Sequence, residues 1–257
     1  MKRSKYVQNH LILGLILLAI SVQGQTIITD RPDQTESSST IPKSSFQLEA
    51  GVGLGNIEIN TEREREILLP TVLLRFGIVK ALELRFISQF ANIKNKTTSA
   101  QSTRIGDVEI GAKVQILRNE KVNMEIAFLT HMVIPTISSD LIELGLGTVN
   151  KLAMSHELGK HFGLGYNIGY NYFGEGKGML TYSIALSAGV TEKIGLFVEP
   201  YGDLLNFEKH LANFDAGLTY LLMNNLQLDI SFGFGLNHTM NFMALGVSWN
   251  LSKKDKS

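Results

Sequence analysis

The stretch Phe162-Gly163-Leu164-Gly165-Tyr166-Asn167-Ile168-Gly169-Tyr170-Asn171-Tyr172 decides the fold. Every even-numbered position is apolar or aromatic and every odd one is Gly or Asn. Side chains of a strand alternate between two faces, whereas a helix would scatter this pattern around its axis. One face of this segment is therefore greasy and the other small and polar.

The same period of two recurs on both sides of it. It is found at Phe46 to Leu54, Leu68 to Phe76, Leu82 to Phe90, Val108 to Ile116, Val122 to Ile134 and Leu152 to Leu158. It continues at Leu180 to Val190, Leu196 to Gly202, His210 to Tyr220, Leu226 to Leu236 and Met243 to Leu251. About twelve strands of roughly nine to eleven residues are predicted, an even number and a length suited to tilted strands crossing a hydrocarbon layer. The links add a second signal. Gly77 to Ala81, Leu117 to Lys121, Gly159 to His161, Thr191 to Lys193 and Leu221 to Asn225 are tight. The alternate links, Asn60 to Glu66, Ala91 to Arg104, Pro135 to Asn150, Phe173 to Gly178, Leu205 to Lys209 and Asn237 to Asn241, are mostly longer and polar. Short turns on one side and longer loops on the other are the habit of transmembrane barrels.

The partner face of the apolar one carries Glu49, Arg75, Glu83, Arg85, Asp107, Glu109, Lys113, Glu125, His131, Glu157, Glu199, Asp203, Asp215 and Asp229. A soluble sandwich would turn its apolar faces inward and these charges to water. So many continuous apolar faces in one chain of 257 residues exceed what a sandwich core holds, while lipid can bathe all of them. Aromatic residues also gather near strand ends, at Phe46, Phe76, Phe90, Tyr170, Tyr172, Phe173, Tyr182, Tyr220 and Trp249, where membrane girdles sit. The fold class expected is all-β: a transmembrane antiparallel up-and-down β-barrel with charges in its lumen. Gly at inward positions such as Gly51, Gly111, Gly165 and Gly246 leaves room inside.

Composition excludes several functions. With 24 basic and 24 acidic residues the net charge is zero, so no basic surplus awaits a nucleic acid. Cysteine is absent, which removes disulfides, thiolate metal sites and Cys nucleophiles. The six histidines include His131, His156, His161, His210 and His238, none at close ligand spacing, so neither a metal nor a cofactor is expected. No GxSxG elbow or similar motif calls for catalysis, and the chain is read as no enzyme.

Residues 1–24 read as a secretory signal, with Lys2, Arg3 and Lys5 before the apolar run Leu11 to Val22 and a small-residue site at Gly24. That run is shorter than the ~20 residues a membrane helix needs. Residues 25–45 form a polar arm with no period, residues 46–251 the barrel, and residues 252–257 a polar tail. The arm enters strand one from the periplasmic side. Its Asp30, Arg31, Asp33 and Glu36 are expected to tuck into the lumen and pair with Arg75, Arg85 or Lys113, because buried charges need partners. Glu49, Glu109, Glu125, Glu199, Asp215 and Asp229 complete the candidate charges. The alternating run Glu62 to Glu66 reads as a solvated loop tip.

The arm, Thr29-Asp30-Arg31-Pro32-Asp33-Gln34-Thr35-Glu36-Ser37-Ser38 followed by Ile41-Pro42-Lys43 and Phe46-Gln47-Leu48-Glu49, resembles the opening of the transporter family named for the MetA pathway of phenol degradation. Asn213-Phe214-Asp215-Ala216-Gly217 with Tyr220, and Asn225-Leu226-Gln227-Leu228-Asp229 with Gly233-Phe234-Gly235, resemble its late strands. The resemblance implies a barrel of a Gram-negative outer membrane, in contact with its lipid, that passes small hydrophobic or aromatic solutes. The alternative is a closed structural or interaction barrel of the envelope without transport. One departure is the end of the chain, where Trp249-Asn250-Leu251 runs into a Lys-rich tail instead of a terminal aromatic.

Overall fold

The computed structural model describes residues 27–59, 62–136, 146–174 and 176–251. The signal at 1–24 and the tail at 252–257 lie outside the described residues. Period-two segments pair into one antiparallel sheet of β1 (Phe46–Ile59), β2 (Glu62–Val79), β3 (Leu82–Asn95), β4 (Gln101–Ile105), β5 (Val108–Asn119), β6 (Met124–Ile134) and β7 (Gly147–Leu158). It continues through β8 (Phe162–Tyr172), β9 (Met179–Gly189), β10 (Ile194–Leu205), β11 (Lys209–Met223), β12 (Leu226–Gly235) and β13 (Met240–Asn250). β1 pairs with both β2 and β13, and β2 pairs with β3, so the sheet closes on itself. β4 and β5 both pair with β3 at different heights, so among the described residues the thirteen segments make twelve staves.

Burial is inverted relative to a soluble protein. Gln47, Glu49, Arg75, Glu83, Lys113, Glu199, Asp215, Gln227 and Ser248 are all at most 1% exposed. Phe76, Leu84, Phe86, Ile110, Ile168, Ile184, Leu196, Phe232 and Leu245 stand outward and exposed. Lipid would cover such a belt, and many of the polar groups inside bond one another or the arm. Tyr170, Tyr172, Tyr182 and Trp249 stand exposed near the strand ends.

Two expected loops are corrected. Glu62 to Glu66 belongs to β2, and most of Ala91 to Arg104 forms the hairpin of β3 and β4. Their residues alternate charge or polarity instead of hydropathy, so the apolar period ends while the backbone ladder continues. β2 is accordingly 18 residues long, well past the expected strand length. It carries an irregularity between Leu68 and Thr71, where Pro70 has no N–H to donate to a ladder.

Candidate functional site

Inside the barrel the polar arm makes one circuit of the wall. The Gln47 side chain of β1 donates to the Ile28 carbonyl at 2.8 Å. Arg31 crosses Gly51 and Gly246 and binds Asp229 of β12 at 3.0 Å. A Cβ on Gly246 would lie 2.3 Å from Arg31 Nε, so the arm passes only because this wall position is bare. The amide of Gln34 donates to Glu199 of β10 at 2.7 Å, and Thr35 Oγ1 bonds both Glu199 and Ser183 of β9. Glu36 and Asn167 of β8 exchange two hydrogen bonds, the Glu36 N–H donating at 2.7 Å and the Asn167 amide returning at 3.1 Å. Ser38 then bonds Ser155 of β7, and Ser39 donates to Glu125 of β6. The Ile41 N–H donates to Glu83 of β3, and the Ser44 N–H to the Gly77 carbonyl of β2. The order of these partners follows the order of the staves around the barrel.

The strongest charges gather on β2, β3 and β5. The Arg75 guanidinium makes a two-point contact with Glu83, both bonds 2.9 Å, and a third bond to Glu49 at 3.0 Å. Such forked pairing fixes direction as well as charge. Asp30 of the arm lies among Arg75, Arg85 and Lys113, with Lys113 Nζ 2.9 Å from each of its oxygens. Burial would raise the Asp30 pKa, but the fields of Arg75, Lys113 and Arg85 together outweigh it and hold this carboxyl well below its usual range. Arg85 also binds Glu36 at 2.7 Å and Glu83 at 3.0 Å. Its Nε donates to Nε2 of His131 at 3.0 Å, which leaves Nδ1 of that ring to donate to Glu109 at 2.8 Å. Close packing helps here too: a Cβ on Gly111 would lie 2.1 Å from the His131 ring.

The wall of β10 to β12 differs. Glu199 and Asp215 are direct cross-strand partners, both fully buried, and among the described residues neither Asp215 oxygen has a hydrogen-bond partner. Asp33 of the arm stands near them. Burial first, and the charge of Glu199 second, push the Asp33 pKa well above its ordinary value. Arg31 is the arm's one cation on this side. A cavity of about 570 Å³ separates the arm from the turn-side ends of β6 to β9, lined by Glu36, Glu125, Ser155, His156 and Gly165 among others.

The inward face is not polar throughout, contrary to what the alternation of residues predicts. On the loop side of the Arg75 and Arg85 cluster, inward positions carry Leu73 opposite Ile87, Leu68 opposite Ala91, and Phe242 opposite Gly55. Leu129 and Val133 of β6 are inward and buried, and Val149 of β7 lies opposite His131. The signal was present in Ile67 to Leu74, where apolar residues occupy both faces, but a period-two reading cannot separate two greasy faces. Of the inward charges expected, Asp107 and Glu157 remain exposed near strand ends.

Comparison with solved structures gives barrels of the same build. The COG4313 outer membrane channel from Pseudomonas putida F1 superposes with a TM-score of 0.71 at 12% identity, covering 87% of this chain and 100% of that one. The KdgM porin, solved in complex with disordered oligogalacturonate, gives a TM-score of 0.55 at 9% identity, covering 79% and 98%. At such identities the likeness speaks for the fold. No match is found among curated proteins. The family model described as "Putative MetA-pathway of phenol degradation" matches residues 29–251, arm and barrel together, and the chain belongs to that family.

Proposed function

We propose that the protein is an outer-membrane channel for small hydrophobic or aromatic solutes, working by diffusion and without catalysis. The observation that carries this reading is the inward apolar surface of Leu68, Leu73, Ile87, Ala91 and Phe242 between the charged belt and the loop end. A lumen meant only for ions or sugars gains nothing from aliphatic side chains, whereas an apolar solute gains about 25 cal/mol for each Å² it removes from water. The family assignment supports the same solute class. In this reading the arm sets the narrowest part of the path and its hydrogen-bonded circuit holds the wall in shape.

A closed structural barrel is the second reading, favoured by the dense pairing of the arm around Asp30. Deleting residues 29–41 and recording single-channel conductance in a planar bilayer separates the two. The channel reading expects a larger and less regular conductance and faster uptake of an aromatic solute into liposomes. A barrel whose conductance and solute uptake stay at background with and without the arm would exclude it.

A further inference from the structure

On the loop side, the β1–β2 and β3–β4 hairpins climb past the apolar belt, and their alternation sorts charge between the two faces. Glu64 and Glu66 lie opposite Asn95 and Ile93, on the face that continues Leu68 and the lumen. Arg63 and Arg65 fall on the other face, with Ile67 and Leu54 below them. Arg65 is the direct cross-strand partner of Lys94, and Lys94 in turn faces Gln101 of β4. Lys96 follows at the hairpin tip, its Nζ 2.8 Å from the Asn56 side chain. Arg63 is held by Glu58 at 3.3 Å. Among the described residues no carboxylate forms an ion pair with Arg65, Lys94 or Lys96.

Like charges directly opposite one another on a sheet destabilise it, so this pair asks for an anion from outside the chain. Its height says which. Ile67 and Phe90 are the last large apolar residues on this outer face, 38% and 46% exposed. Arg65 comes two positions later than Ile67 along the wall, about 7 Å at the strand rise. The polar headgroup layer beside the hydrocarbon is about 5–7 Å deep on each side. The basic pair thus stands at headgroup level, facing lipid.

We propose that Arg65, Lys94 and Lys96 form a docking site on the outer wall of the barrel for the phosphate of a phosphorylated lipid of the surrounding leaflet. The proposal rests on the membrane-barrel reading above. Phosphate suits the pair because Arg offers a planar fork and Lys a compact charge to neighbouring oxygens. Asn92 and Thr103, joined at 2.6 Å on the same face, and Gln101, which donates to Asn92 at 3.0 Å, extend the polar surface toward sugar hydroxyls.

The test uses the full mature chain in detergent, with native mass spectrometry reading retained lipid. The probes are bisphosphorylated lipid A, the same lipid without its phosphates, and inorganic phosphate. Wild type is expected to hold the phosphorylated lipid, and a double variant Arg65→Gln, Lys94→Gln to bind it about 30-fold more weakly, at roughly one surface cation's contribution per substitution. Lys94→Arg should restore most of the binding. Heat-dependent gel mobility verifies that each variant is a folded barrel. Equal retention by wild type and double variant overturns the site, as does equal retention of the dephosphorylated lipid. Displacement by inorganic phosphate at equal concentration would mean a plain anion site and would also overturn it. Solute uptake measured on the same samples keeps the two readings apart: lipid held without uptake counts against the channel, and uptake without lipid counts against the docking site.

Discussion

The two sides of the lumen solve opposite electrostatic problems. On β2, β3 and β5 the wall supplies three buried cations, Arg75, Arg85 and Lys113; Glu83 and, from β1, Glu49 are the wall carboxylates that pair with them, and the arm brings Asp30 and Glu36. On β10 to β12 the wall supplies Glu199, Asp215 and Asp229, and the arm brings one cation, Arg31, neutral donors at Gln34 and Thr35, and a further carboxyl at Asp33. The first side is a dense ion-pair network; the second is a row of carboxylates in which, among the described residues, the arm bonds Glu199 and Asp229 but not Asp215. A buried ion pair is weak evidence of net stability, but losing one partner of it is costly. The arm is therefore anchored strongly on one side and more loosely on the other.

Breaking the strong side should have the largest effect. Arg75→Ala leaves Glu49, Glu83 and Asp30 without their shared cation and is expected to cost about 3–5 kcal/mol. Urea-dependent loss of the folded gel band measures this; an unchanged midpoint would show that the wall does not depend on the cluster. Asp30→Ala should cost somewhat less, about 3 kcal/mol, and act on the arm more than on the barrel. Since the chain has no cysteine, a single Ser37→Cys supplies one thiol whose labelling rate reports arm release. Asp30→Ala is expected to speed that labelling at least tenfold while the folded band persists.

The pH response has a sign that follows from Asp30. Its docked pKa lies below the ordinary value near 3.9, so its contribution is complete above that value and is lost as pH falls through the docked one. The labelling rate relative to that of a free thiol at the same pH should rise on acidification toward pH 3, and Asp30→Asn should flatten this limb. Asp33 on the other side works oppositely, its raised pKa making docking easier below its ordinary value and harder as pH rises through the docked one.

On the looser side the effects are smaller. Arg31→Gln removes the 3.0 Å bond to Asp229 and should cost about 2 kcal/mol, again read by labelling. Asp215→Asn is the sharpest contrast with Arg75→Ala, because it removes a buried carboxylate whose oxygens find no hydrogen-bond partner among the described residues. It should be neutral or stabilise by about 1 kcal/mol; a destabilisation as large as that of Arg75→Ala would erase the distinction between the two sides.

Much of this was legible in the residues. The alternation from Phe162 to Tyr172 gives strands and faces, because one lipid face and one lumen face impose a strict period of two. Arg75, Glu83, Arg85 and Lys113 were placed inward by parity alone. The loop-side extensions were not legible, since Glu62 to Glu66 and Ala91 to Arg104 lack the apolar beat once the wall leaves the lipid. Nor was the arm's route. Thr35, Ser38 and Ser39 bond their staves through short hydroxyls that carry no periodic signal, and their Ser/Thr-rich composition looks the same in any polar segment.

The circuit of the arm also fixes how it can be pulled out. Its far end is covalently continuous with β1, so tension can enter only from the N-terminal side. The first heavily bonded residue that tension meets there is Asp30, with contacts to Arg75, Arg85 and Lys113, while the hydroxyl contacts at Ser38 and Ser39 come later along the chain. A tug from that side would meet the ion pairs of Asp30 first, then Arg31 on Asp229 and Glu36 on Arg85, and only afterwards the hydroxyl contacts, so the ribbon is stiffest where pulling begins and gives more easily toward β1.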